Sequence, residues 1–198
     1  MNQVIENILN RRSTRIFTEE KVDVEILKEI VKAGLHAPSS KNKQLWHFTV
    51  IQNKDVLKQL NEDTKNAVKK YAPEKISDEK MLKTFISRAN NDAFDTFYNA
   101  PVAILISKDT TDITSQDDCA IASQNLMLAA ESFGLGSCWA SFVNNLFNFD
   151  KEKAKEYCEK FQIPENYIPT HAVIIGHKKN ASPKASARRE NTVTYILD

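Results

Sequence analysis

The stretch Pro101-Val102-Ala103-Ile104-Leu105-Ile106-Ser107 decides the architecture. Residues 102–106 are all apolar, without the alternation of a strand that shows one face to water, so 102–107 reads as a strand buried on both faces. Such a strand needs a layer on each side, and the flanking sequence supplies helices. Downstream, residues 120–133 form the most apolar helical pattern, hydrophobic nearly all round, with Asp117 or Asp118 as N-cap and Gly134 in the left-handed position after its end. Asp150 caps an amphipathic helix through Ala154, Tyr157, Cys158 and Phe161 that stops before Pro164. Residues 171–175 repeat the buried-strand pattern, and 192–197 read as a fourth strand.

Upstream, Asn2 caps a short helix carrying Val4, Ile5, Ile8 and Leu9, and Asp23 starts another with Val24, Leu27, Val31 and Leu35 on one face, ending before Pro38. Residues 47–52 are β-branched and aromatic enough to be a strand. A third helix, with the stripe Leu57, Leu60, Thr64, Val68 and Tyr71, is bounded by Asp55 and Pro73, and Ser77 opens a more polar one through Met81, Leu82, Phe85 and Ile86. Strands separated by helices, with no run of hairpins, give an α+β or α/β sheet protein. The absence of repeats and Gly/Ser linkers gives one domain over residues 1–198.

Composition excludes several functions. The 198 residues carry a net charge of +1 with both signs dispersed, which offers no basic footprint for nucleic acid and little repulsion between copies. Only four glycines are present, no window holds three of them, and none precedes a lysine, so neither a dinucleotide fingerprint nor a Walker loop exists. A bound phosphate must therefore be held by side chains. Three cysteines without a CxxC pair argue for a reducing compartment rather than disulfides or a zinc ribbon, and with no signal-peptide pattern or membrane-length apolar run a cytoplasmic protein is expected. The four histidines form no HxxxH pair, so no metal site is expected; Cys138 lacks a recognisable base and reads as core, and no GxSxG elbow occurs.

Three polar segments remain. Arg11-Arg12-Ser13-Thr14-Arg15 concentrates three guanidiniums and two hydroxyls directly after a helix, a set that matches phosphate geometry as well as it would serve a solvated basic turn. Pro38-Ser39-Ser40-Lys41-Asn42-Lys43-Gln44 offers hydroxyls and amides between a helix and a strand. Arg188-Arg189 follows a turn-like stretch near the C-terminal end.

Taken together these segments resemble the nitroreductase family of FMN-dependent oxidoreductases. The resemblance is carried by Arg11-Arg12-Ser13-Thr14-Arg15-Ile16-Phe17; by Ala37-Pro38-Ser39-Ser40 with Asn42, Gln44 and Trp46; and by Asn99-Ala100-Pro101-Val102. It continues in Ala129-Ala130 followed by Gly134-Leu135-Gly136-Ser137-Cys138-Trp139, and in His171-Ala172-Val173-Ile174-Ile175-Gly176 followed by Arg188. It implies an α+β three-layer sandwich with a mainly antiparallel central sheet flanked by helices. It also implies a homodimer with two FMN sites at the interface, and a C-terminal arm of about residues 185–198 reaching to the partner subunit.

Carried over by position, the resemblance implies that Arg11, Ser13 and either Arg188 or Arg189 hold the flavin phosphate, with Arg12 contributing from the same segment. Arg15 would face the N1 and O2 edge of the ring, where negative charge collects on reduction. Pro38, Ser39, Ser40 and Asn42 would come from the other subunit, and the backbone of Trp139, Ala140 and Ser141 would meet the ring near N5. The implied activity takes hydride from NADH or NADPH and passes electrons to nitroaromatics, quinones or enones in two half-reactions. No side-chain acid or base is needed, so no catalytic residue is assigned. Other flavin chemistry in the same fold, such as dehalogenation or substrate oxidation, and a flavin-binding protein without turnover are the alternatives. This chain departs from the family's common pattern in having Leu45 rather than proline before Trp46, and Ala140-Ser141-Phe142 after Trp139. Groups for the ring's O4 edge are not identifiable between Tyr71 and Asn99.

Overall fold

A computed structural model describes residues 2–197; Met1 and Asp198, the ends of the expected domain and arm, lie outside the described residues. Four strands form one antiparallel sheet in the order β1-β2-β4-β3: β1 (Trp46–Ile51), β2 (Val102–Asp109), β3 (Gly136–Ala140) and β4 (Tyr167–Gly176). β2 is central and residues 102–106 are fully buried, as their unbroken apolarity requires. Alternate side chains face opposite layers. Val102, Ile104, Ile106, Val173 and Ile175 pack with Leu27, Ile30, Ala122 and Leu126 from α2 (Val24–Leu35) and α5 (Ser115–Ser132). Ala103, Leu105, Cys138, Ala140, Ala172 and Ile174 pack with Leu57, Leu60, Leu146, Phe147 and Tyr157 from α3 (Lys54–Lys75), α6 (Asn144–Phe149) and α7 (Lys151–Lys160). The result is an α+β three-layer sandwich.

Helix starts follow local chemistry. The side chains of Asn2, Asp23 and Asp150 accept backbone N–H bonds at the heads of α1 (Gln3–Asn10), α2 and α7. Gly134, at φ 74°, closes α5 in the left-handed conformation that a glycine adopts without steric cost.

Several expectations are corrected. α3 is capped by Asn53 rather than Asp55 and runs through Pro73 to Lys75, ending two residues beyond the proline that removes a helix donor. Asp78, not Ser77, caps α4 (Glu79–Asn90). α5 begins at Ser115 without a side-chain cap, and Asp118 lies inside its first turn with its carboxylate turned to a neighbouring loop. Over the expected 120–133 the helix is not apolar all round: Ser123 is on its buried face, and Gln124 and Ser132 are exposed. Residues 136–140, where no strand is expected from the sequence, are a sheet strand because β4 pairs along them. Residues 192–197 are not a strand; Val193, Tyr195, Ile196 and Leu197 are all exposed, and no strand among the described residues pairs with them.

Candidate active site

The basic segment leaves α1 and runs to the β3 edge of the sheet. Ser13 bridges Ser137, the Thr14 N–H donates to the Ser137 carbonyl at 2.9 Å, and farther on Thr18 N–H donates to the His177 carbonyl. Thr14 lies so close to Gly136 that a Cβ there would stand 2.6 Å from its Oγ1 and Cγ2, which explains the glycine by approach rather than by φ.

The three arginines do different things. Arg12 Nη1 donates to the carbonyls of Leu9 and Arg11 at 2.6 and 2.7 Å, tying down the end of α1. Arg11 Nη1 is buried without a hydrogen-bond partner, as is Arg12 Nε. A buried guanidinium nitrogen left without an acceptor costs roughly 1–3 kcal/mol or more, so this position suits an anionic ligand. The Arg15 guanidinium lies over the Tyr98 ring, 5.7 Å from its centroid. Tyr98 and Asn99 both have left-handed φ, at 55° and 54°, and Asp95 Oδ1 accepts the Phe97 and Asn99 N–H groups around that bend.

β3 has one side paired to β4. Because the Ser137 carbonyl points outward to Thr14, two-residue alternation turns the Trp139 backbone groups to the same open edge. The Trp139 indole stacks on His171 with centroids 3.6 Å apart and planes 9° from parallel. His171 is buried, with Nε2 2.7 Å from Ser123 Oγ and Nδ1 2.8 Å from Thr170 Oγ1. Each ring nitrogen thus has a hydroxyl within hydrogen-bond distance, and each hydroxyl also reaches a carbonyl, Ser123 Oγ that of Cys119 and Thr170 Oγ1 that of Ile106. Burial pushes this imidazole down to about 3. Ala140 is buried and Ser141 exposed.

Next to them, Phe142 contacts Phe85 of α4 and Phe94, with centroid distances of 5.5 and 5.0 Å. α4 and the following loop thus form an aromatic wall above the end of β3. Lys65, 3% exposed, secures that wall by donating to the Asn91 carbonyl at 3.0 Å, at the C-terminal end of α4. Neither Phe94 nor Lys65 was among the sequence candidates; a lysine on the inner face of α3 was the available signal.

The second polar segment is elsewhere. Lys41, Asn42 and Gln44 have φ of 52°, 54° and 53°, and the loop precedes β1. β1 and β3 are opposite edges of the sheet, three strand spacings apart, or about 14 Å at ~4.8 Å each. One chain therefore does not unite Pro38, Ser39, Ser40 and Asn42 with Arg11, Ser13, Arg15 and Trp139. Arg188 and Arg189 are exposed in the segment after β4, outside any helix or strand.

The sequence profile of the Nitroreductase family matches residues 8–177. This chain belongs to the Nitroreductase family. Among nitroreductase structures, one with bound FMN from Bacteroides fragilis NCTC 9343 is 31% identical, covers 100% of both chains and superposes with a TM-score of 0.87. An FMN reductase (NADPH) of Bacillus subtilis strain 168 is 28% identical over 207 residues, spanning 100% of this chain and 77% of its own length. Iodotyrosine deiodinase 1 of Sus scrofa is 32% identical over 113 residues, which is 54% of this chain and 37% of that protein. Among the described residues, no histidine, cysteine and carboxylate cluster suited to a metal occurs, and no helix is long and apolar enough to cross a membrane.

Proposed function

We propose that this nitroreductase-family oxidoreductase binds FMN, takes hydride from NADH or NADPH, and reduces small flat acceptors such as nitroaromatics, quinones or enones. The observation that carries the reading is Arg11 Nη1, buried without a partner beside the open edge of β3, where an FMN phosphate would satisfy it. FMN supplies the hydride and electron-transfer chemistry when bound. Arg11 and Ser13, with Arg188 or Arg189 from the C-terminal segment, hold the phosphate; Arg12 keeps the end of α1 in place and offers its free Nε. Arg15 would hold fixed positive charge at the ring, and the backbone of Trp139, Ala140 and Ser141 would meet the ring. The Phe85, Phe94 and Phe142 wall narrows the pocket and favours flat acceptors. No side chain is assigned a proton-transfer role.

The active unit is a homodimer in this reading. The two halves of the site sit on opposite sheet edges of one chain, so Pro38, Ser39, Ser40 and Asn42 serve the site of a second copy. Exposed Val4, Ile5, Ile8 and Leu9 on α1, beside a groove of about 270 Å³ lined by Ala33, Asn125 and Leu128, supply an apolar face for that copy. The C-terminal arm of about residues 185–198, with its exposed Val193, Tyr195, Ile196 and Leu197, reaches to that copy. Residues 1–198 form a single domain, and its three unpaired cysteines suit a reducing cytoplasm.

The deciding experiment is an anaerobic mix of the purified yellow protein with NADH or NADPH. Bleaching of flavin absorbance establishes the reductive step and names the donor. A colourless protein whose melting temperature FMN does not raise overturns the proposal, and flavin retained without bleaching leaves a binding protein without turnover. Arg15→Gln is expected to slow reduction more than it weakens FMN binding, and Arg11→Ala the reverse. The match to iodotyrosine deiodinase favours dehalogenation as the second reading, tested by halide release from iodotyrosine.

A further inference from the structure

Loop 38–44 is strained and yet well defined. Three of its residues, Lys41, Asn42 and Gln44, hold left-handed φ values without a glycine among them. Such a conformation persists only where surrounding contacts over-determine it. Two contacts come from α5 and the turn that leads into it. The Ser40 N–H donates at 3.0 Å to Oδ1 of Asp118, a carboxylate only 3% exposed, and Lys43 Nζ meets Asp112 Oδ2 at 2.6 Å on the more exposed side. Inside the loop, Gln44 N–H donates to Ser39 Oγ and Gln44 Nε2 to Asn42 Oδ1. Asp118 Oδ2 is buried without a hydrogen-bond partner.

We propose that Asp118 is the positioning residue that presets loop 38–44 for the cofactor, by fixing the Ser40 amide on the first turn of α5. The inference rests on the reading that this loop contacts FMN bound by a second copy. Asp118 lies in the first turn of α5, and its Oδ1 serves as an acceptor for the loop. It is the fourth residue of that helix, past the cap position, and its Oδ1 is committed to a segment 78 positions away in sequence. The buried Oδ2 keeps acceptor capacity that no residue fills among those described. Lys43–Asp112, being partly exposed, is the weaker tether.

The test compares wild type, Asp118→Ala, Asp118→Asn and Lys43→Met as full-length protein. Amide hydrogen exchange is followed without added FMN, and FMN dissociation constants are read by fluorescence titration. Asp118→Ala is expected to speed exchange of the 39–44 peptide about tenfold and raise the FMN dissociation constant by a similar factor, with peptides from the middle of α5 unchanged. Asp118→Asn, which retains a carbonyl acceptor, is expected to restore most loop protection, and Lys43→Met to lose less than Asp118→Ala. Unchanged loop exchange in Asp118→Ala, or equal losses in the Ala and Asn variants, overturns the proposal. Should Asp118→Ala not fold, the Ser40 amide of wild type decides: exchange at the rate of a free loop refutes the anchor. A wild type that takes no FMN refutes the cofactor reading instead, and the exchange rates of the loop peptide then support or refute the anchor by themselves.

Discussion

Gly136→Ala tests the link between the basic segment and β3. In most strands this change stabilises by roughly 0.4–1 kcal/mol, because alanine has less freedom to lose on folding. Here the added Cβ meets Thr14 Oγ1 and Cγ2 at 2.6 Å and Thr14 Cβ at 2.7 Å. Comfortable carbon contacts lie near 3.5–4.0 Å, so the shortfall is about 1 Å. Rotation of the Thr14 side chain can clear at most one of its two terminal atoms, which share three staggered positions, and cannot move its Cβ, which is set by the backbone. Residues 13–15 must therefore retreat from β3, stretching the 2.9 Å bond from Thr14 N–H to the Ser137 carbonyl. Overpacking of this kind costs about 1–3 kcal/mol and outweighs the entropy gain. At ~2 kcal/mol the melting temperature of a chain this size falls by about 4–8 °C. FMN affinity is expected to fall about tenfold, because Arg11, Ser13 and Arg15 move with Thr14. A double-mutant cycle with Thr14→Gly, which removes all three atoms, should return a coupling of at least about 1 kcal/mol, whereas Thr14→Ala relieves the clash only in part. Thermal melts and FMN titrations of the set are the assay. A Gly136→Ala protein that melts within about 1 °C of wild type and binds FMN equally well refutes the reasoning, as does an additive cycle.

Two further outcomes follow from buried titratable groups. His171 is neutral in the fold, with its imidazole at about 3 against 6.5 when unfolded, so the unfolded chain binds the extra proton between those values. Its contribution is complete above pH ~6.5 and is lost as pH falls toward 3, at up to about 1.4 kcal/mol per pH unit; melts from pH 7 down to about 4.5 should show a shallower decline in His171→Gln than in wild type. Burial pushes the Cys119 thiol up to about 12 and raises Cys158, and Cys138 is buried, so a thiol reagent near neutral pH should label the native protein slowly and all three cysteines promptly after denaturation. Fast labelling of the native protein at Cys119 contradicts the packing described.

Features set by neighbours in the chain were legible, and those set by distant partners were not. Asn2, Asp23 and Asp150 announce helix starts because a cap bonds to N–H groups two or three residues away. Asp118 carries the same signal but lies inside α5, which already starts at Ser115, and its oxygen serves a loop 78 positions distant. Residues 192–197 have the composition of a strand, but no free edge within the described chain pairs with them. Residues 136–140 include glycine, serine and cysteine, and become a strand only through β4. Within the site, the arginine cluster could be read directly; the separate tasks of Arg11, Arg12 and Arg15 could not, since carbonyls and a tyrosine ring brought in by folding divide them.

The sequence by itself determined a doubly covered sheet and excluded glycine-rich phosphate loops, because unbroken apolar runs and residue inventories need no coordinates. Tertiary structure alone decided that β1 and β3 are opposite edges, and with them the two polar segments of the site. Strand order depends on hydrogen bonds and packing between residues far apart in the chain, which local sequence pattern does not encode.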